Sequence, residues 1–122
     1  MTTGGKLPLI KENIFLDKAL KIIDKKKLGV LLVIKNNGET CGIITDGDFK
    51  RIAQKYSNFE KLRISKVMKK KPISVDINTL AASALSLMNS KKITSLCVHK
   101  NKKIKRTLGL VHMHDILKSN IN

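Results

Sequence analysis

A chain of 122 residues with 42% hydrophobic content can bury one core of ordinary size, and 3% aromatic content without Trp argues against stacking on bases. The net charge of +16, from 25 Lys and Arg against 9 acidic residues, raises a polyanion-binding reading. Only Arg51, Arg63 and Arg106 carry the guanidinium that base edges and phosphates favour, so the lysine excess reads first as solvated surface and nucleic acid is not the expected partner.

No apolar run approaches the roughly 18 to 20 residues of a membrane span, and Met1-Thr2-Thr3-Gly4-Gly5 lacks a charged segment followed by an apolar one. A cytoplasmic protein without a membrane partner is expected. Cys41 and Cys97 lie in apolar segments without metal-ligand spacing and read as buried free thiols.

In chain order, a short extended piece follows Pro8, and an amphipathic segment follows Asn13, a residue suited to an N-cap. Leu16, Ala19, Leu20 and Ile23 recur at three-and-four spacing and predict one apolar helix face opposite a lysine-rich one. Val30-Leu31-Leu32-Val33-Ile34, the turn Lys35-Asn36-Asn37-Gly38 and Thr40-Cys41-Gly42-Ile43-Ile44 predict a β-hairpin, with Gly29 as a turn glycine before it. Asp48-Phe49-Lys50-Arg51-Ile52-Ala53 then reads as a helix start, with an acid where the helix dipole favours negative charge. Residues 56–67 place Phe59, Leu62, Ile64 and Val67 among charges, which predicts a partly helical linker.

The second half repeats the first. An offset of 65 carries Asn13, Ala19, Leu20 and Val33 onto Asn78, Ala84, Leu85 and Val98. Two further residues, placed in the basic hairpin tip from Lys100 to Arg106, change the offset to 67, at which Gly42 meets Gly109 and Asp48 meets Asp115. Met1 stands before Pro8 much as Met68 stands before Pro72. The expectation is an α/β (α+β) chain of two β-α-β-β-α repeats, 1–55 and 68–122, joined by 56–67. Each unit is too small to cover its helices and sheet alone, so a pseudo-two-fold pair is expected to fold as one.

Gly42-Ile43-Ile44-Thr45-Asp46-Gly47-Asp48 and Gly109-Leu110-Val111-His112-Met113-His114-Asp115 resemble the strand-to-helix signature of CBS domains, small-apolar-apolar-Thr/Ser-x-x-Asp. The resemblance covers nearly the whole chain and implies a regulatory pair that binds a nucleotide in the cleft between repeats. There the acids, Asp48 and Asp115, would accept hydrogen bonds from ribose hydroxyls, with Thr45 serving phosphate or ribose. A carboxylate suits a vicinal diol, and amides at a helix start suit phosphate. His112 replaces the hydroxyl in the second repeat, which points to one competent site rather than two. Arg51 is a further candidate for phosphate, and Thr94, the counterpart of Gly29, for the cleft.

Ile44-Thr45-Asp46-Gly47-Asp48-Phe49-Lys50-Arg51, Val67-Met68-Lys69-Lys70-Lys71-Pro72 and His112-Met113-His114-Asp115-Ile116-Leu117 together are similar to the C-terminal CBS pair of arabinose 5-phosphate isomerases. That likeness implies an N-terminal sugar isomerase domain outside this chain, on the route to Kdo for lipopolysaccharide or capsule. It implies an adenine nucleotide or CMP-Kdo as regulatory ligand, no required cofactor, and a homodimer of pairs. No catalytic residue is expected here, because Thr45 and Asp48 lack a third orienting group. No metal is expected either, since imidazoles two apart on an extended segment, His112 and His114, would diverge. Two other readings stay open: a structural module that organises an oligomer, and a polyanion-binding domain.

Overall fold

A computed structural model of the protein describes residues 1–26, 28–100 and 106–119. Most of the basic tip between Lys100 and Arg106 therefore lies outside the described residues, as does the Lys27 that repeats as Lys92. The elements run β1 (Thr2–Thr3), a 3-10 turn (Gly4–Lys6), β2 (Leu9–Lys11), α1 (Leu16–Lys26), β3 (Val30–Ile34), β4 (Thr40–Thr45) and α2 (Asp46–Lys55). A second 3-10 turn (Phe59–Lys61), α3 (Ile64–Val67), β5 (Lys69–Lys70), β6 (Ser74–Asp76), α4 (Ala81–Lys91), β7 (Ser95–His99), β8 (Gly109–His112) and α5 (Met113–Ser119) follow. Both expected β-α-β-β-α orders are present, as β2-α1-β3-β4-α2 and β6-α4-β7-β8-α5.

The chain forms two compact units, Pro8–Pro72 and Met1–Leu7 with Ile73–Asn122. In the first unit the sheet order is β2-β3-β4-β5. β2 runs parallel to β3, as the helical crossover α1 allows, and β3 and β4 form the antiparallel hairpin. Gly38 takes φ +88° in its turn, a conformation open to glycine at little cost. Leu31, Val33 and Ile44 of the sheet meet Leu16, Ala19 and Ile23 of α1, Phe49 and Ile52 of α2, and Ile64 of α3 in one core. Residues 56–67 are thus built into this unit: Ile64 is fully buried, and the Ile64 amide donates to the Ile14 carbonyl at 2.8 Å.

The second unit repeats the plan in the order β1-β8-β7-β6. Its core contains Ala84, Met88, Leu96 and Ile116. β5 and β1, the outer strands, have equivalent roles, with β5 antiparallel to β4 (Gly42↔Lys70) and β1 antiparallel to β8 (Thr3↔Gly109). A Cβ on Gly42 would overlap the Met68 thioether, and one on Gly109 would come within 2.6 Å of Met1 Sδ. The Met1–Met68 correspondence is therefore one of packing, with each methionine lying on the glycine of the strand its own segment joins.

Three local expectations need correction. The helices start at Leu16 and Ala81, later than Asn caps at Asn13 and Asn78 would put them, and the N-cap of α4 is Leu80, which makes no side-chain cap hydrogen bond. The backbone first turns between strand and helix, as in the Thr79 amide bond to the Asp76 carbonyl at 2.9 Å, and this uses up the Asn positions. Leu20 is 41% exposed, because the buried stripe of α1 centres on Leu16, Ala19 and Ile23 and leaves Leu20 on its flank. Both cysteines are free, but only Cys97 is buried, and burial pushes its thiol up to about 11. Cys41 is half-buried, with Sγ 3.4 Å from the Val33 carbonyl oxygen.

Candidate functional site: the strand-to-helix turns

At the β4-to-α2 turn, Thr45 ends the strand in extended geometry and caps the helix. Thr45 Oγ1 accepts the Asp48 amide at 3.2 Å, and Asp48 Oδ2 accepts the Thr45 amide at 2.9 Å. This reciprocal capping box satisfies two amides that the first turn would leave open. Gly29, at φ +71°, accepts the Asp46 amide on its carbonyl at 3.0 Å and ties the start of β3 to the same turn.

The other oxygen of Asp48 faces two cations. Arg51 Nη2 donates to Oδ1 at 2.6 Å, and Lys69 Nζ from β5 lies 3.3 Å from the same atom. The Asp48 side chain is 7% exposed, whereas those of Arg51 and Lys69 are 65% and 63% exposed. Burial by itself would raise the Asp48 carboxyl. The Thr45 amide, the Arg51 guanidinium, the Thr45 hydroxyl and the nearby Lys69 ammonium outweigh it and hold the group below the usual aspartate value. The result is a buried carboxylate bonded to the fold through one oxygen and reaching exposed cations through the other.

The β8-to-α5 turn has the same backbone plan and different chemistry. Asp115 Oδ2 accepts the His112 amide at 3.1 Å, and the Thr94 carbonyl accepts the Met113 amide at 2.7 Å, as Gly29 does for Asp46. His112 Nδ1 takes the place of the threonine hydroxyl by accepting the His114 amide at 3.1 Å. The expected divergence of His112 and His114 is not found, since their rings stack with centroids 4.7 Å apart. Strand alternation ends at His112, and the helix beginning at Met113 brings His114 back over it. Among the described residues no three His, Cys, Asp or Glu side chains gather as metal ligands. Asp115 is 45% exposed, in contrast to Asp48.

Thr45, Asp48 and Arg51 thus come together in one unit, and Thr94, His112 and Asp115 surround the corresponding turn in the other. Lys69 is the site residue that sequence reasoning missed. Its signal was weak: it stands in a run of three lysines, 21 positions after the acid it pairs with.

Residues 1–55 and 64–121 each match the CBS domain family. The chain belongs to that family. This CBS pair is 36% identical over 121 residues to the arabinose 5-phosphate isomerase KdsD of Yersinia pestis, covering 99% of this chain and 36% of the relative. It is 38% identical over 118 residues to KdsD of Francisella tularensis, covering 97% and 35%. The CBS pair therefore spans little more than a third of these relatives.

Among solved structures, a CBS-domain protein from Agrobacterium tumefaciens superposes with TM-score 0.85 at 18% identity, over 94% of this chain and 84% of that one. CBSX2, a CBS-pair protein of Arabidopsis thaliana, solved in complex with AMP, gives 0.85 at 22% identity, over 98% and 90%. These likenesses agree with the fold. As a CBS pair the chain is a regulatory module, and its two signature turns differ where hydroxyl and carboxylate chemistry would operate.

Proposed function

We propose that this CBS pair senses a nucleotide or nucleotide-sugar and regulates a sugar isomerase domain in the same polypeptide, the parent enzyme interconverting ribulose 5-phosphate and arabinose 5-phosphate in the cytoplasm. The likeness to KdsD supports the parent assignment, and with it a role on the route to Kdo for lipopolysaccharide or capsule. The observation that carries the sensing role is the β4-to-α2 turn, where a buried carboxylate holds two exposed cations on one oxygen and the Thr45 hydroxyl accepts the amide of the same aspartate. A ribose diol suits the carboxylate and a phosphate suits Arg51 and Lys69.

An adenine nucleotide is one ligand class, supported by the AMP bound to CBSX2, and CMP-Kdo is the other, the ligand that the resemblance to arabinose 5-phosphate isomerases implies. Asp115, His112 and Thr94 form the lesser position, where an exposed acid and an imidazole cap replace the buried acid and its hydroxyl. Ligand binding shifts the enzyme between conformers only as far as the ligand prefers one of them. A homodimer of pairs is the assembly proposed for this regulation.

Titration calorimetry with AMP, ATP and CMP-Kdo tests the reading. One of them is expected to bind, and Asp48→Ala is expected to weaken it about tenfold or more, as loss of a charge-assisted hydrogen-bond acceptor does. Absence of heat from all three, with no ligand-induced change in thermal stability, would overturn it.

The complete capping box favours one rival, in which Asp48 only fastens α2 and the pair only organises the oligomer. Deleting the pair from the parent enzyme separates the two. A changed oligomer with an unchanged response to these ligands supports the structural role.

A further inference from the structure

We infer that Lys69 and Arg51 are the residues that make this site selective for phosphorylated ligands, held on Asp48 as an exchangeable ion triad until a phosphate takes them. The inference rests on the sensing function proposed above and adds the charge class of the ligand and a residue outside the CBS signature. Asp48 Oδ2 is committed to the Thr45 amide. A diol that engages both carboxylate oxygens must also use Oδ1, the atom now bonded by Arg51 at 2.6 Å and approached by Lys69 at 3.3 Å.

Charge decides which ligands can make that exchange. One carboxylate and two cations give the triad a net charge of +1. A neutral nucleoside that took Oδ1 would leave both cations without their anion. A nucleoside phosphate gives them a new one while its ribose hydroxyls satisfy the buried carboxylate, so no charge is stranded. The cations are suited to exchange because their side chains are about two-thirds exposed (65% and 63%), whereas the acid is 7% exposed. They can swing from carboxylate to phosphate while Asp48 stays fixed by its cap. At the other turn the position equivalent to Lys69 is Thr2 at the offset of 67, and the acid, Asp115, is 45% exposed and lies 4.0 Å from the Met1 ammonium.

The test uses the full 122-residue chain and compares each nucleotide with its nucleoside, AMP with adenosine and CMP-Kdo with cytidine. Lys69→Met is expected to lower affinity for the bound nucleotide about tenfold, the scale of one charge-assisted contact, with binding of the nucleoside not reduced. Lys69→Arg should restore most of the loss. Asp48→Asn gives an independent reading: with the cations released, affinity for inorganic phosphate should rise, and no rise would mean that Arg51 and Lys69 are not placed to take a phosphate, which overturns the inference. Circular dichroism and thermal melts identify any variant that fails to fold. If the wild type binds a nucleotide and Lys69→Met binds it equally well, or loses nucleoside and nucleotide alike, the triad inference falls while the sensing function stands. If the wild type binds none of AMP, ATP and CMP-Kdo, both fall.

Discussion

Burial would raise the carboxyl of Asp48 above the ordinary value of 3.8, yet the Thr45 amide, Arg51, the Thr45 hydroxyl and Lys69 together bring it below. The folded state thus prefers the ionised form, so the contribution of Asp48 to stability is complete above 3.8 and is lost as pH falls through its lowered folded value. His99 behaves analogously in the other unit at milder pH. Burial lowers it from 6.5, against an opposing pull from Asp76, so the fold prefers neutral imidazole. Its contribution is complete above 6.5 and is lost as pH falls below that value toward the lowered one. Thermal melts at about pH 7.5 and 5.5, on either side of an ordinary imidazole, should show a loss of stability that His99→Gln reduces. Asp48→Asn should lower stability alike at both pH values, leaving the difference between them unchanged, and remove pH dependence only below 3.8. An equal loss in wild type and His99→Gln would remove His99 as the cause.

At the scale of elements, the outer strands separate the two repeats. Gly42 has both the Met68 side chain and the Lys69 carbonyl close to where a Cβ would stand, the carbonyl at 3.1 Å. Gly109 meets only the flexible side chain of Met1, itself 56% exposed. Gly42→Ala should therefore cost about 1–3 kcal/mol, as overpacking does, and Gly109→Ala distinctly less. Urea denaturation measures both, and equal losses would mean that the backbone beside Gly42 yields as readily as a methionine. These strands also mark where the sequence stopped being informative. The apolar run Val30 to Ile34 with its Asn-Gly turn announced β3 and β4, and Leu16, Ala19 and Ile23 announced α1, because burial imposes a period on the residues themselves. β5 is two lysines and β1 two threonines, which carry no alternation. Nothing local told that Lys69 reaches Asp48. His112 and His114 were misjudged because strand spacing was extended one residue past the point where the chain turns helical.

Across the molecule, sequence repeat and spatial unit differ by the leading segment of each repeat: Met68–Pro72, at the head of the second, belong to the unit Pro8–Pro72. Residues 1–55 match one CBS domain, yet Met1–Leu7 belong with Ile73–Asn122. β1 completes the sheet on the β8 edge, Met1 lies on Gly109, and Leu7 is 8% exposed. Deleting Met1–Leu7 should then act at a distance in sequence. The β8 edge would lose its partner strand and the glycine its cover, a destabilisation of about 1–3 kcal/mol from lost burial and ladder hydrogen bonds. Native-state hydrogen exchange should register this as reduced protection in β7, β8 and α5, with α1, β3 and β4 little changed although they follow directly after the cut. Loss of protection concentrated in residues 8–72 would instead mean that the leading segment supports the repeat it precedes. The predicted pattern follows from the register Thr2↔Leu110 and Thr3↔Gly109, which joins the first residues of one sequence repeat to the last strand of the other.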